Sequence, residues 1–394
     1  MNGVQLFNVR LKEVFAVIMG GFAVFAMFFG AGNLVFPLLA GKIANSVFLP
    51  TFAGLSLTGI LVPLLGLVGI LLYNGSYQVF FERFGKVTAF TLIFLMLLLM
   101  GPFGALPRCI TVAFGSFSTI DPMFPLSGFS LIISGIVFLL CLNENQVVPL
   151  LGALLAPAKI LSVGFILFFG LLFATAPQHT LMPPSEAFQE GAFKGYQMMD
   201  LIAAFFFATV IARHFKLKFR VNDKNHDHSF HLSLYAILLG SGLLLIVYFA
   251  LVYLGATFSE ELGKNAPEQF LSVIAYLTLG NIGGRIVTVA IILSCLTTIV
   301  ALTTVFTDFL YEQIFKQRLQ RIACLGLTIF GTFLMSNLGF SGIMAFLTPI
   351  LFYLYPLLIL LTVINIANWI WRKQMVKSLQ FIAAVAESEK RSEK

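Results

Sequence analysis

Between Val14 and Gly41 the chain carries no charged residue, and none again from Ile43 to Phe81. About 20 apolar residues cross a bilayer core as a helix, so runs of this length constrain the fold more than any other feature. Core helices of a water-soluble domain do not need them and could not hide them. Composition agrees: 59% of the 394 residues are hydrophobic and 10% charged, against roughly 25% charged in soluble domains. With a mean hydropathy of +0.96, the expectation is an all-α polytopic membrane protein. The first apolar segment is too long for a cleaved signal peptide, and no small-residue cleavage site precedes its polar end. Cys109, Cys141, Cys295 and Cys324 stand singly in apolar segments. No two have metal-ligand or redox spacing, so they read as small hydrophobes.

Charge clusters and turn residues cut the chain into about ten spans: 14–40, 47–73, 86–118, 127–142, 145–174, 196–215, 230–257, 281–311, 320–337 and 341–370. Eighteen of the 24 Lys and Arg residues fall in alternate connections. Only Lys42, Lys194, Lys264 and Arg285 fall in the opposite set, and Arg108 and Lys159 lie inside spans. The positive-inside rule then places both termini in the cytoplasm. It also accounts for the net charge of +7 through basic loops facing anionic lipid, with no nucleic-acid partner. Two polar connections stand out, 176–195 outside and 213–229 inside. The first divides the chain into 1–178 and 179–371, five spans each, followed by a charged cytoplasmic tail at 372–394. No residue-level repeat between the halves is visible.

Residues 28–37, FFGAGNLVFP, interrupt the first span with two glycines, an asparagine and a proline. Inside a helix Gly costs about 1 kcal/mol relative to Ala and Pro about 3. Free backbone groups in hydrocarbon cost more still, so a break is tolerated only where protein or a water-filled cavity covers it. A broken span offers N–H donors and partial positive charge from one half, suited to a carboxylate. The other half offers carbonyls, suited to an ammonium group or a sodium ion. Gly30 and Gly32 permit the unwinding, Asn33 is placed to cap the new half-helix, and Pro37 is expected in its first turn. The rival reading is a helix that ends early, or small residues that let helices pack closely. In the eighth span, Ser294, Thr297, Thr298 and Thr304 recur near helical spacing. Their hydroxyls could complete a sodium shell, or bond their own helix at i−4.

Several stretches resemble the branched-chain amino acid:cation symporters of the BrnQ type, within the superfamily sharing the leucine-transporter fold. They are FFGAGNLVFP, GPFGALPRCITVAF (101–114), LLAPAKILSV (154–163), GYQMMD (195–200), SCLTTIVALTT (294–304) and SNLGFSGI (336–343). The resemblance implies two inverted five-helix repeats with helices 1 and 6 broken at mid-membrane around substrate, in a bacterial cytoplasmic membrane. Family members commonly carry twelve helices, where this chain shows about ten spans. The substrate carboxylate is expected on the backbone of Gly30, Ala31, Gly32 and Asn33, with Phe28 lining the pocket. The unwound part of the sixth span is expected at Phe206, Phe207, Ala208 and Thr209, whose carbonyls would take the amino group. Sodium is expected on the carbonyls of Ala26 and Phe29 and the hydroxyls of Thr297 and Thr298. No charged residue lies in 26–37 or 201–212, which favours Leu, Ile or Val over charged amino acids.

Lys159, in the middle of the fifth span, is costly there. In some proton-coupled relatives of the superfamily an ammonium on this helix stands in the place of sodium, so Lys159 is the coupling candidate; the alternative is snorkelling or pairing with a carbonyl. Thr297 and Thr298 argue for Na+, Lys159 for H+. Arg108 is expected either to pair with a helix-end carbonyl or to line the path, and Asp200 to be interfacial. The histidines between His226 and His231 have weak ligand spacing in a basic loop. A channel is disfavoured by the lack of pore-residue rings. An enzyme is disfavoured because no GxGxxG, GxxxxGK[ST], HExxH or Ser-His-Asp constellation occurs. No cofactor and no ATPase subunit is implied; the partners expected are a small amino acid, a coupling ion and the bilayer.

Overall fold

The computed structural model describes residues 3–142, 161, 163–218 and 226–392, and it is all-helical among them. Lys159 lies outside the described residues. The first span is two helices, α1 (Gly3–Phe28) and α2 (Ala31–Ala44). The second runs through α3 (Phe48–Ser56), a widened π-type turn and α4 (Val62–Leu72). The short α5 (Tyr77–Glu82) leads into α6 (Lys86–Met100) and α7 (Ala105–Phe117), then α8 (Leu126–Leu142) and α9 (Val163–Leu172). The later elements are α10 (Pro184–Met198), α11 (Asp200–Lys218), α12 (His226–Thr257), the single turn α13 (Ser259–Leu262), α14 (Phe270–Phe309), α15 (Arg321–Ser336) and α16 (Gly339–Ser392). Among the described residues, five stretches are long and apolar enough to cross a membrane, and α10 with α11 makes a sixth if that bent pair is one span.

Breaks divide what the sequence reads as continuous spans. The span expected at 86–118 turns at residues 101–104, GPFG, between α6 and α7. Helix α14 begins at Phe270, well before residue 281, and its ladder is interrupted at Gly280, whose φ of 69° an L side chain rarely adopts. The span expected to end near residue 370 continues helically to Ser392, through most of the charged tail. The connection 176–195, expected to be a polar loop, becomes helix α10 from Pro184 onward. Proline is at home there, because the first helical N–H has no intrahelical partner to lose.

Without water to drive apolar surfaces together in lipid, helix pairs depend on close backbone approach. The α2–α12 and α3–α10 pairs show it, and both are extensive contacts. A Cβ on Gly41 would lie 1.9 Å from the carbonyl oxygen of Val252, and one on Gly255 would lie 2.1 Å from that of Leu38. Gly54 and Gly191 play the same reciprocal part against Phe188 and Thr51. These two seams fix α2 and α10, helices that each bring one end to the same cavity.

Candidate functional site

Three helix breaks converge on one cavity. At the first, α1 ends at Phe28, and Gly30 is the N-cap of α2 with extended backbone (φ −98°, ψ −170°) and no side-chain cap. The N–H groups of the first turn of a helix have no intrahelical acceptor, so those of Ala31, Gly32 and Asn33 are left for other partners. Asn33 does not cap the helix as expected. Its side chain points away and donates to Asp200 Oδ2 (2.7 Å) and to the Tyr248 hydroxyl. Pro37 falls deep inside α2 rather than in its first turn. Lacking an N–H, it also leaves the Asn33 carbonyl without its i+4 donor.

The second break lies at Met199. Helices α10 and α11 meet there at a bend of 46°, and Met199 itself is left-handed (φ 66°, ψ 21°). This corrects the expected position: Phe206, Phe207, Ala208 and Thr209 are regular helix within α11. Alanine and phenylalanine at those positions do nothing to open a ladder. The strain is instead placed on a methionine that sequence rules do not flag, in a region unfavourable for residues with a Cβ. Asp200, expected at the interface, opens α11 and is only 3% exposed. An acidic residue in the first turn complements the positive end of the helix dipole.

The third break, Gly101–Gly104, sets Arg108 one turn into α7 and 4% exposed. Its Nη1 donates to the Gln197 carbonyl (2.7 Å) and its Nη2 to the Met198 carbonyl (3.2 Å), the last residues of α10. A fixed cation thus closes the negative end of that helix. The guanidinium also lies over the Phe36 ring at 5.5 Å. It fills the space beside Gly32, where a Cβ would be 2.7 Å from Nη2. Of the two readings open for Arg108, pairing with helix-end carbonyls is what the structure shows, and the residue also borders the cavity.

That cavity, of ≈ 60 Å³, is bounded by Gly30, Ala31, Asn33, Arg108, Met198, Met199 and Asp200 on its polar side. Met27, Phe28, Met100, Phe207 and Leu302 make its apolar wall. Phe28 and Phe207 meet edge to face with ring centres 5.2 Å apart. Beyond this wall lies a second, almost wholly apolar cavity of ≈ 270 Å³. It shares Met27, Met100, Phe207 and Leu302 with the first and adds Tyr77, Phe206, Thr209, Val305 and Phe306. Ala208 is fully buried and lines neither cavity.

The residues expected around sodium are divided. Thr298 borders the polar cavity, while Ala26, Phe29 and Thr297 do not. Both threonine hydroxyls donate to the Ser294 carbonyl, at 2.7 Å from Thr297 and 3.1 Å from Thr298. Their lone pairs remain able to accept or ligate. Among the described residues no group of three or more His, Cys, Asp or Glu side chains could hold a metal ion.

Sequence reasoning did not assemble Asp200 and Tyr248 into the site. The signal for Asp200 was present: it is the sole charged residue between Gly195 and Ala212, and an intramembrane acid is functional by default. Tyr248 gave none, being one of several aromatic residues in the apolar part of α12.

Over residues 13–389 the chain matches the family described as branched-chain amino acid transport protein. The chain belongs to that family. It is 30% identical over 372 residues to the branched-chain amino acid permease BrnQ of Bacillus subtilis, covering 90% of this chain and 82% of the relative. It is 29% identical to the permease BraB of the same organism, over 90% and 80%. Among solved structures it is similar to Mhp1, a nucleobase-cation-symport-1 family transporter, with a TM-score of 0.59 at 14% identity over 88% of this chain and 77% of that one. It is also similar to the Eremococcus coleocola manganese transporter, with a TM-score of 0.55 at 13% identity over 91% and 88%. At those identities the likeness is one of fold, and the fold is that of a membrane transporter. This protein of the branched-chain amino acid transport family is a multi-pass membrane transport protein and not an enzyme.

Proposed function

We propose that the protein carries leucine, isoleucine and valine across the bacterial cytoplasmic membrane by cation symport, with Na+ or H+ as coupling ion and alternating access to the two sides. The observation that carries the reading is the convergence of helix breaks on a cavity with one polar and one apolar side. Free N–H groups of Ala31, Gly32 and Asn33 at the positive end of α2 suit a carboxylate. Phe28, Phe207, Met27, Met100 and Leu302 suit a branched aliphatic side chain, and methionine adapts to more than one such shape. The ten-span arrangement in two inverted repeats, 1–178 and 179–371 with both termini cytoplasmic, is supported by the asymmetry of Lys and Arg and by the likeness to transporter folds.

For the ion, Thr298 beside the cavity favours sodium, with Ala26, Phe29 and Thr297 as its further ligands. Lys159 is the corresponding candidate for proton coupling. Uptake of radiolabelled leucine into proteoliposomes, with sodium and pH gradients imposed separately, tests the reading. Accumulation under one gradient is expected, and no accumulation under either would reject symport. Currents without amino acid would favour a channel.

A further inference from the structure

The polar side of the cavity departs from what the fold resemblance implies for an amino group. The carbonyls at the end of a broken sixth helix would be its acceptors, but here those of Gln197 and Met198 already accept from Arg108. Arginine remains charged in any protein environment and has no acceptor atom. An ammonium group brought to the same carbonyls would have to displace it and meet its charge. Another acceptor is needed, and the cavity holds one.

Asp200 uses a single oxygen in its internal contacts. Oδ2 accepts from Asn33 Nδ2 at 2.7 Å and from the Tyr248 hydroxyl at 3.0 Å. Oδ1 accepts no hydrogen bond among the described residues, although the residue is 97% buried and borders the cavity. A carboxylate oxygen that borders the cavity with no protein donor suits a cationic one, since hydrogen bonds to charged groups are the stronger kind. Arg108 lines the same cavity, and its Nε is buried without a hydrogen-bond partner. Ala31 and Asn33, whose N–H groups have no intrahelical acceptor, border the same space. The site therefore offers a negative pole on α11 and a positive pole on α2 and α7, the inverse of an amino-acid zwitterion.

We propose that Asp200 Oδ1 binds the α-ammonium group of the transported amino acid, with Asn33 and Tyr248 as positioning residues that hold the carboxylate in place through Oδ2. Arg108 substitutes for the ammonium at the α10 carbonyls and transfers that duty to Asp200. This rests on the transport reading above.

The test compares L-leucine with its 2-hydroxy analogue, 2-hydroxy-4-methylpentanoate, which keeps carboxylate and side chain but lacks the ammonium. Binding to purified full-length protein is measured for the natural chain and for Asp200→Asn, whose amide oxygen still accepts from Asn33. The natural chain is expected to prefer leucine by at least tenfold. In Asp200→Asn leucine binding should weaken at least tenfold while the hydroxy analogue binds as before, so the preference collapses. An equal loss for both ligands would make Asp200 merely structural and overturn the proposal. Unchanged leucine binding would overturn it too. Absence of leucine binding by the natural chain would instead reject the transport reading itself.

Discussion

The Arg108 guanidinium occupies the space where a side chain at Gly32 would stand: a Cβ at position 32 would lie 2.7 Å from Nη2 and 3.0 Å from Cζ. The guanidinium has little room to retreat, being bonded to two carbonyls and stacked on Phe36. Gly32→Ala should therefore displace Arg108 from the end of α10. Overpacking of this kind costs about 1–3 kcal/mol. Leucine binding is expected to fall by tenfold or more while the protein still purifies as a folded species. Unaltered binding in Gly32→Ala would show that the contact is soft.

Arg108→Lys should be a poor replacement despite conserving charge. One ammonium cannot reproduce the planar fork that reaches two successive carbonyls. Leaving one buried carbonyl unsatisfied costs about 1–3 kcal/mol. A clear fall in thermal stability in detergent is expected for Arg108→Lys, with a larger one for Arg108→Gln, which also loses the charge at the helix end. Equal stability of all three proteins would contradict the helix-capping role.

Tyr248→Phe removes one of the two donors on Asp200 Oδ2 and leaves Asn33 in place. A hydrogen bond to a charged group contributes about 1.5–3 kcal/mol. The variant should fold, be less stable, and bind leucine more weakly than the natural chain but more tightly than Asp200→Asn. Calorimetric titration of the three proteins gives that order or refutes it.

The glycine seams predict a contrast within one residue type. Gly41→Ala and Gly255→Ala force a methyl group into a neighbouring helix backbone, at 1.9 and 2.1 Å. Both should sharply reduce folded yield. Gly135→Ala and Gly326→Ala, where a Cβ meets nothing within 4 Å, should be neutral or slightly stabilising, since alanine favours helix by about 1 kcal/mol. Size-exclusion profiles of the four variants separate the two classes.

Coupling is the remaining test. Thr298→Val, at the cavity, should raise the sodium concentration needed for half-maximal leucine uptake by tenfold or more. Lys159→Ala should leave that requirement unchanged. A sodium requirement unaffected in both Thr297→Val and Thr298→Val would remove the sodium site and leave Lys159 as the coupling group.

Much of this architecture is legible in the sequence, and the reasons for the exceptions are physical. Uncharged length gives membrane helices directly, and the Gly-rich FFGAGNLVFP places the first break within a residue or two, because glycine is a poor helix former and Gly32 leaves the space that Arg108 fills. The second break is illegible by the same logic. Met199 adopts a left-handed conformation that composition argues against, and it persists because flanking contacts hold it: Arg108 on the carbonyls before it and Asp200, tied to Asn33 and Tyr248, after it. Phe206 to Thr209 attracted the assignment by lying at mid-span. Three of them prove to be wall rather than hinge, Phe207 against both cavities and Phe206 and Thr209 against the apolar one, while Ala208 lines neither. Long-range partnerships such as Asn33 with Asp200 leave no trace in local pattern, since neither residue's neighbours predict a partner 167 positions away.

The apolar chamber beyond Phe207 bears on leakage. Its walls offer almost nothing that could replace an ion's hydration shell; Tyr77 and Thr209 supply the side-chain hydroxyls. A bare cation passing through it would lose its water without compensation, which costs on the order of tens of kcal/mol in a low-dielectric space. Thioethers and phenyl rings would thus act as electrical insulation. An ion that arrives alone is held back by walls that offer it no ligands.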